Sequence, residues 1–169
     1  MAESKTIKRR HMKLRKLQPK DAPLMLEWMH DPTVVENLQT NFAEKTLEDC
    51  LQFIDNAADS ELNLHMAITD DNDEYMGTVS LKHIGQGIAE FAITVRSIAQ
   101  GKGYAQYGMQ EILAYGIHDL GLKAVYWCVS PENGRAVRFY DKNNYVRTEE
   151  IPDRIRQFYH QQFIWYVYR

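Results

Sequence analysis

The chain has 169 residues, 44% of them hydrophobic, a formal net charge of −3 and two cysteines. That length suits one domain spanning residues 1–169, able to bury a core without disulfide or metal staples. The charge balance offers no global attraction to nucleic acid or an anionic membrane. No apolar run approaches the roughly 18 residues of a membrane span, and no signal-type apolar region stands at the N-terminus. The expectation is a cytoplasmic protein with neither nucleic-acid nor membrane partners.

Lys5 to Lys16 is the one basic cluster, read as a solvated terminus leading into a strand. Met12 to Leu17 alternates in polarity and predicts that strand. Pro19 to His30 follows as a helix, with Asp21 and Pro23 as start signals and Asp31-Pro32 as a stop. Thr33 to Lys45 is a polar loop carrying an isolated Phe42. Thr46 and Asp49 then form a capping box for a helix whose apolar stripe is Leu47, Cys50, Leu51, Ile54 and Ala58.

Leu62 to Thr69, Tyr75 to Ile84 and Ile88 to Val95 predict an antiparallel meander. Asp70 to Asp73 and Gly85 to Gly87 are its turns. The acids of the first turn lack the glycine and distal glutamate of a calcium loop, so a solvated hairpin turn is expected. Tyr104 to Leu120 is the clearest helix, with Gly108 and Gly116 allowing close approach to the sheet and Gly121 ending it. Ala124 to Val129 is a continuous apolar run, as in a strand covered on both faces. A short helix from Asn133 through Lys142 and strands at Tyr145 to Ile151 and Phe163 to Tyr168 complete an α/β chain. The aromatic last strand is read as core or as a dimer edge, so a homodimer is among the expectations. Cys50 and Cys128 sit in apolar runs, and the six histidines fall in no ligand spacing, so no metal is expected.

Between Val95 and Tyr104 lies Gln100-Gly101-Lys102-Gly103-Tyr104-Ala105. Its glycines remove Cβ atoms that would block an oxygen from the backbone N–H groups. The next helix points its free N–H groups, and about half a positive charge, into the same space. Such a segment cradles a pyrophosphate. A P-loop is excluded by the missing Gly-Lys-Ser/Thr. A dinucleotide fingerprint is excluded by Gln106 in place of the third glycine and by the lack of an earlier βα unit. What remains is the Gln-x-x-Gly-x-Ala pattern of acyl-CoA-binding acetyltransferases, or a structural loop with two convenient glycines.

Downstream stands Val129-Ser130-Pro131-Glu132-Asn133-Gly134-Arg135, leading to Phe139-Tyr140-Asp141-Lys142-Asn143-Asn144-Tyr145. With both motifs in this order, the chain resembles the GNAT superfamily of N-acetyltransferases over nearly its whole length. Within it, the chain looks most like the branch that acetylates ribosomal and other protein N-termini, polyamines and amino sugars. The resemblance implies a mixed, mostly antiparallel sheet of about six to seven strands flanked by about four helices. It also implies acetyl-CoA as cofactor. Where the family usually has Gly-Phe after the Tyr-x-Lys turn, this chain has Asn144-Tyr145. Asparagine tolerates the left-handed conformation, and tyrosine keeps the aromatic body.

By that resemblance a primary amine, on a small molecule or at a protein N-terminus, attacks the acetyl-CoA thioester directly. An alkylammonium of pKa about 10.4 must first lose a proton, which costs roughly 4–5 kcal/mol at pH 7. Glu90, on the strand entering the cradle and on one face with Ala92 and Thr94, is the candidate base. The opposite face, Phe91, Ile93 and Val95, is read as core. Tyr140 matches the family tyrosine that faces the CoA sulfur, and Asn133 the residue that bonds the pantetheine arm. The backbone of Ile93, Thr94 and Val95 pairs with that arm like an added strand and supplies the oxyanion donor. Gln100 to Ala105 and Arg135 complete the cofactor set. Trp28, His30 and Phe42 fall on the acceptor side, with Trp28 expected mainly as core; His65 and His83 are read as structural or surface residues. A non-catalytic acyl-CoA-binding module and a nucleotide-binding domain are the competing functions.

Overall fold

The computed structural model describes residues 12–38 and 40–169. Most of the basic cluster, residues 5–11, lies outside them. Strand β1 (Lys13–Lys16) leads through a short 3-10 turn into helix α1 (Ala22–Met29), and α2 (Pro32–Val35) and α3 (Leu47–Ala58) follow. The meander is β2 (Leu64–Thr69), β3 (Tyr75–Gly85) and β4 (Ile88–Val95). Then come α4 (Tyr104–His118), β5 (Ala124–Val129), α5 (Gly134–Lys142), β6 (Val146–Arg147), α6 (Asp153–Arg156) and β7 (Ile164–Tyr168). The sheet has seven strands in the order β1-β2-β3-β4-β5-β7-β6. Only β4 and β5 run parallel.

Alternation along the strands divides the sheet into two faces. One face carries Ile68, Val79, Leu81, Phe91, Val125 and Trp127, and buries them with Met109, Ile112 and Leu113 of α4. Close approach is required there. A Cβ on Gly108 would lie 2.5 Å from Ile68 Cδ1, and one on Gly116 would lie 3.0 Å from Leu81 Cδ1. The other face has two separate patches. Met25, Trp28 and Met29 of α1 pack with Cys50 and Ile54 of α3 on Ala67 and Tyr75. Ile155 of α6 packs with Tyr126, Trp165 and Val167 at the far end. Each large apolar side chain so buried contributes about 1.5–3 kcal/mol.

Local chemistry starts the elements where expected. Thr46 Oγ1 accepts from the Asp49 N–H at 3.2 Å while the Asp49 carboxylate accepts from the Thr46 N–H at 2.8 Å, closing the capping box of α3. Asp70 Oδ1 accepts from the N–H groups of Asn72 and Glu74, both at 2.9 Å, and so shapes the first hairpin turn. Asn144 takes the left-handed conformation at φ 64°.

Three expectations change. The Thr33–Lys45 loop overlaps a helical turn, α2, which Asp31 caps by accepting from the Thr33 N–H. The strand expected over Tyr145 to Ile151 shortens to Val146–Arg147. Thr148 turns its hydroxyl onto the Glu150 N–H, and Pro152 then begins α6, a single turn too short to leave a periodicity. The aromatic strand β7 lies between β5 and β6, so it is core and forms no free sheet edge. Among the described residues there are six α-helices against about four expected, and α2 and α6 are the two single turns.

Candidate active site

The site begins with a divergence of two strands. β4 and β5 pair at Ile88–Ala124, Ala89–Val125 and Glu90–Tyr126 and no further, although β4 continues to Val95 and β5 to Val129. The other edge of β4 stays paired to β3 as far as Val95. Past Glu90, therefore, the β5 side of β4 is a backbone edge without a strand partner among the described residues. A cleft of about 480 Å³ opens there, at the carboxyl ends of the two parallel strands. Ile93, Thr94, Trp127, Ser130, Asn133 and Tyr140 are among the residues lining it.

The cradle follows directly. Gly101 (φ 75°) and Gly103 (φ 90°) occupy the left-handed region that side-chain-bearing residues avoid. A Cβ on Gly101 would meet nothing within 4 Å, so the constraint there is conformational. Gly103 is the N-cap of α4 and no side chain caps that helix, so the N–H groups of its first turn are free to bind an anion. Gln100 Nε2 donates to the Val95 carbonyl at 3.5 Å, and Arg135 donates to Gln100 Oε1. That bond ties the cradle to α5 and sets an exposed guanidinium beside it. Lys102 is exposed at the rim, while Tyr104 and Ala105 are half-buried against the core. Asn133 caps α5 by accepting from the Ala136 N–H at 3.2 Å.

Tyr140, on α5, is 8% exposed and ringed by Trp127, Phe139, Tyr145 and Tyr166. Burial pushes its phenol up, with Tyr166 and Tyr145 adding to the effect. Its hydroxyl has no hydrogen-bond partner among the described residues, and the side chain lines the cleft. A neutral donor is thus held in reserve.

Glu90 is 2% exposed and lines the same cleft. Tyr159 donates a hydrogen bond to its Oε2. Lys82 Nζ stands 3.9 Å from Oε2, and His83 Nε2 stands 3.6 Å from Oε1. Oε1 is buried without a hydrogen-bond partner. Burial raises the carboxyl above its ordinary value, against the pull of Lys82. One oxygen is fixed, the other is free, and the group is a stronger base than an exposed glutamate.

Beside the first patch, between α1, α3 and strands β2 to β4, lies a further cavity of about 260 Å³. Trp28 and Phe42, with ring centroids 5.1 Å apart, both line it. Trp28 is also core, donating to the Tyr75 hydroxyl at 2.9 Å. His30 lies outside both cavities, its Nε2 paired with the Lys45 carbonyl at 2.8 Å. Phe42, Ala92, Ile93 and Thr94 line cavity and cleft alike, so the two spaces are continuous.

Sequence reading missed His65, Ser80, Lys82, His83 and Tyr159. His65 Nδ1 pairs with Ser80 Oγ at 2.6 Å within the cavity wall, and burial lowers its pKa to about 4. His83 stacks on Phe158 at 4.1 Å. The available signal is polarity on one face of the meander: His65, Thr78, Ser80 and Lys82 face the same side as Glu90. No local pattern marks Tyr159, which lies 69 positions from Glu90.

Comparison with known proteins agrees with this geometry. The family model described as "Acetyltransferase (GNAT) domain" matches residues 11–146. An uncharacterized N-acetyltransferase, p20, from Bacillus licheniformis is 27% identical over 153 residues, covering 88% of this chain and 86% of the relative. The acetyltransferase PseH of Campylobacter jejuni is 22% identical, over 85% and 86% of the two chains. Among solved structures, the spermidine N-acetyltransferase of Vibrio cholerae in complex with CoA and spermine superposes with a TM-score of 0.75 at 19% identity, covering 93% of each chain. The chain belongs to the GNAT acetyltransferase family, whose members move the acetyl group of acetyl-CoA to an amine. Among the described residues, no helix is long and apolar enough to cross a membrane.

Proposed function

We propose that this GNAT acetyltransferase binds acetyl-CoA along the cleft between β4 and β5 and acetylates a primary amine presented from the adjoining cavity. The observation that carries the reading is the unpaired edge of β4 past Glu90. It leads from a glycine-rich helix start at one end to a buried carboxylate at the other. When bound, acetyl-CoA supplies a thioester whose acetyl group passes to the amine.

The chain's residues then divide the work. The N–H groups of Gly101 to Ala105 hold the pyrophosphate, with Lys102 and Arg135 adding positive charge at its rim. The backbone of Ile93, Thr94 and Val95 takes the pantetheine arm as an added strand, and Asn133 bonds its amides from the other wall. Glu90 Oε1 removes the ammonium proton, while Tyr159 keeps the carboxylate from rotating away. Tyr140 donates to the departing sulfur. A phenol raised by burial donates a hydrogen bond without giving up its proton, which suits stabilisation of a thiolate better than full transfer. Trp28 and Phe42 belong to the acceptor wall.

A dodecameric form is known for the Vibrio cholerae spermidine N-acetyltransferase. Self-association of the present chain is proposed through a surface other than the internal strand β7. The reading is tested by incubating the protein with acetyl-CoA and an amine panel, following thiol release together with the mass of the acetylated product. Release of thiol with matching product supports it. Saturable CoA binding with no product from any amine would leave a binding module in its place.

A further inference from the structure

The cavity beside the cleft indicates what kind of amine the site accepts, an inference that rests on the function just proposed. Its walls are apolar: Met25, Trp28, Met29, Phe42, Phe53 and Ile93. Two cations, Lys45 and Lys82, line it, and among the described residues Asp49 is its only carboxylate. Asp49 holds the start of α3 with one oxygen, Oδ2, which accepts from the Thr46 N–H at 2.8 Å and from the Thr46 hydroxyl at 3.1 Å, and its charge is already balanced by Lys45. The remaining polar groups are neutral and largely paired. Thr78 Oγ1 meets the Tyr75 hydroxyl at 2.6 Å, Ser80 meets His65, and His65 is uncharged at neutral pH because burial lowers it.

A polyamine carries one ammonium to the reacting end and at least one more behind it. The reacting end finds Glu90. The trailing charge would enter a space of aromatic rings and thioethers whose two lysines outnumber its one carboxylate, already balanced by Lys45, so a further cation is disfavoured there. An apolar body gains by the same burial, and methionines adapt to its outline. We propose that the acceptor is a primary amine carried on a compact apolar body, with no second positive charge.

The test uses the wild-type chain loaded with CoA or acetyl-CoA, and the probes are 2-phenylethylamine, 1,5-diaminopentane and spermidine. Binding to the CoA-loaded protein is followed by tryptophan fluorescence, since Trp28 lines the cavity. Turnover is followed by thiol release. The expected result is a kcat/KM for 2-phenylethylamine at least about tenfold above that for either polyamine, the size of discrimination an apolar pocket gives. Phe53→Ala is expected to weaken 2-phenylethylamine binding by about tenfold while leaving CoA affinity unchanged, which also shows that the variant folds. Equal or better turnover of spermidine overturns the inference and leaves N-acetyl transfer standing. Binding of 2-phenylethylamine, weakened by Phe53→Ala, without thiol release from any amine supports the cavity assignment and refutes the transfer reading. Absence of 2-phenylethylamine binding overturns the inference outright.

Discussion

Tyr140→Phe removes one oxygen and should move activity and stability in opposite directions. In the folded chain the ring is buried among aromatic rings, while the hydroxyl reaches the cleft and has no protein hydrogen-bond partner among the described residues. In the unfolded chain it is hydrated. A buried hydroxyl without a partner costs about 1–3 kcal/mol. Because Tyr140 lines the cleft, the low end of that range applies. The variant should therefore be no less stable than wild type, and up to about 1 kcal/mol more stable, a gain of about 2–4 °C for a chain of this size. Ring packing against Trp127 and Tyr166 is retained. If the hydroxyl stabilises the departing sulfur, its loss should lower kcat by about 100-fold, or about 2.7 kcal/mol of barrier, with little change in acetyl-CoA KM. Thermal melts and steady-state thiol release on the same preparation measure both. Full turnover would refute the assignment of Tyr140 to the sulfur. A fall in melting temperature would refute the claim that its hydroxyl is unpartnered.

Glu90→Gln should abolish most turnover while its stability effect depends on pH. The folded-state value of Glu90 is raised above its ordinary 4.5 by burial. Its contribution is therefore fully present below about 4.5 and is lost as pH rises through the raised value. Urea melts at pH 5 and pH 8 should show the variant gaining on wild type at the higher pH; the opposite trend would contradict the burial argument. Asn133→Ala removes the cap of α5, which should cost about 1 kcal/mol in a melt and raise the KM for acetyl-CoA. Gly108→Ala places a Cβ against the fully buried Ile68. Overpacking of about 1–3 kcal/mol should outweigh a helix-propensity gain of about 1 kcal/mol. Combination with Ile68→Val, which removes the offending methyl, should destabilise less than the sum of the two single changes, and strict additivity in denaturant melts would rule the clash out.

The proposed cofactor half of the site is legible because its signals are local. Gly101 and Gly103 stand two positions apart at a strand-to-helix junction, and Asn133 and Tyr140 occupy one short helix and its cap. The meander and α4 were legible for the same reason, since period and turn residues sit in one window. The acceptor half was not. Its cavity draws Met25 from α1, Phe53 from α3, His65 from β2 and Ser80 from β3, and only sheet register and the packing of the two helices on the sheet bring these together. Tyr159 comes from a segment whose one helical turn, α6, is too short to show a period. The sequence reading puts His30 on the acceptor side with Trp28 and Phe42, yet its ring turns to the Lys45 carbonyl. Nearness in sequence at a helix end did not bring it into the cavity.

The parting of β4 from β5 has one more consequence, for how such an enzyme can change over generations. The groups freed along β4 are peptide N–H and C=O groups, which every residue except proline supplies in full. Substitution of Ala92, Ile93 or Thr94 alters the cleft's wall but leaves its hydrogen-bonding edge in place. The acceptor cavity, by contrast, is made of side chains from five separate elements and a loop, and each can be exchanged singly. On the function proposed here, mutational drift can therefore remodel the choice of amine while the proposed seat for acetyl-CoA, written into the main chain, is inherited intact.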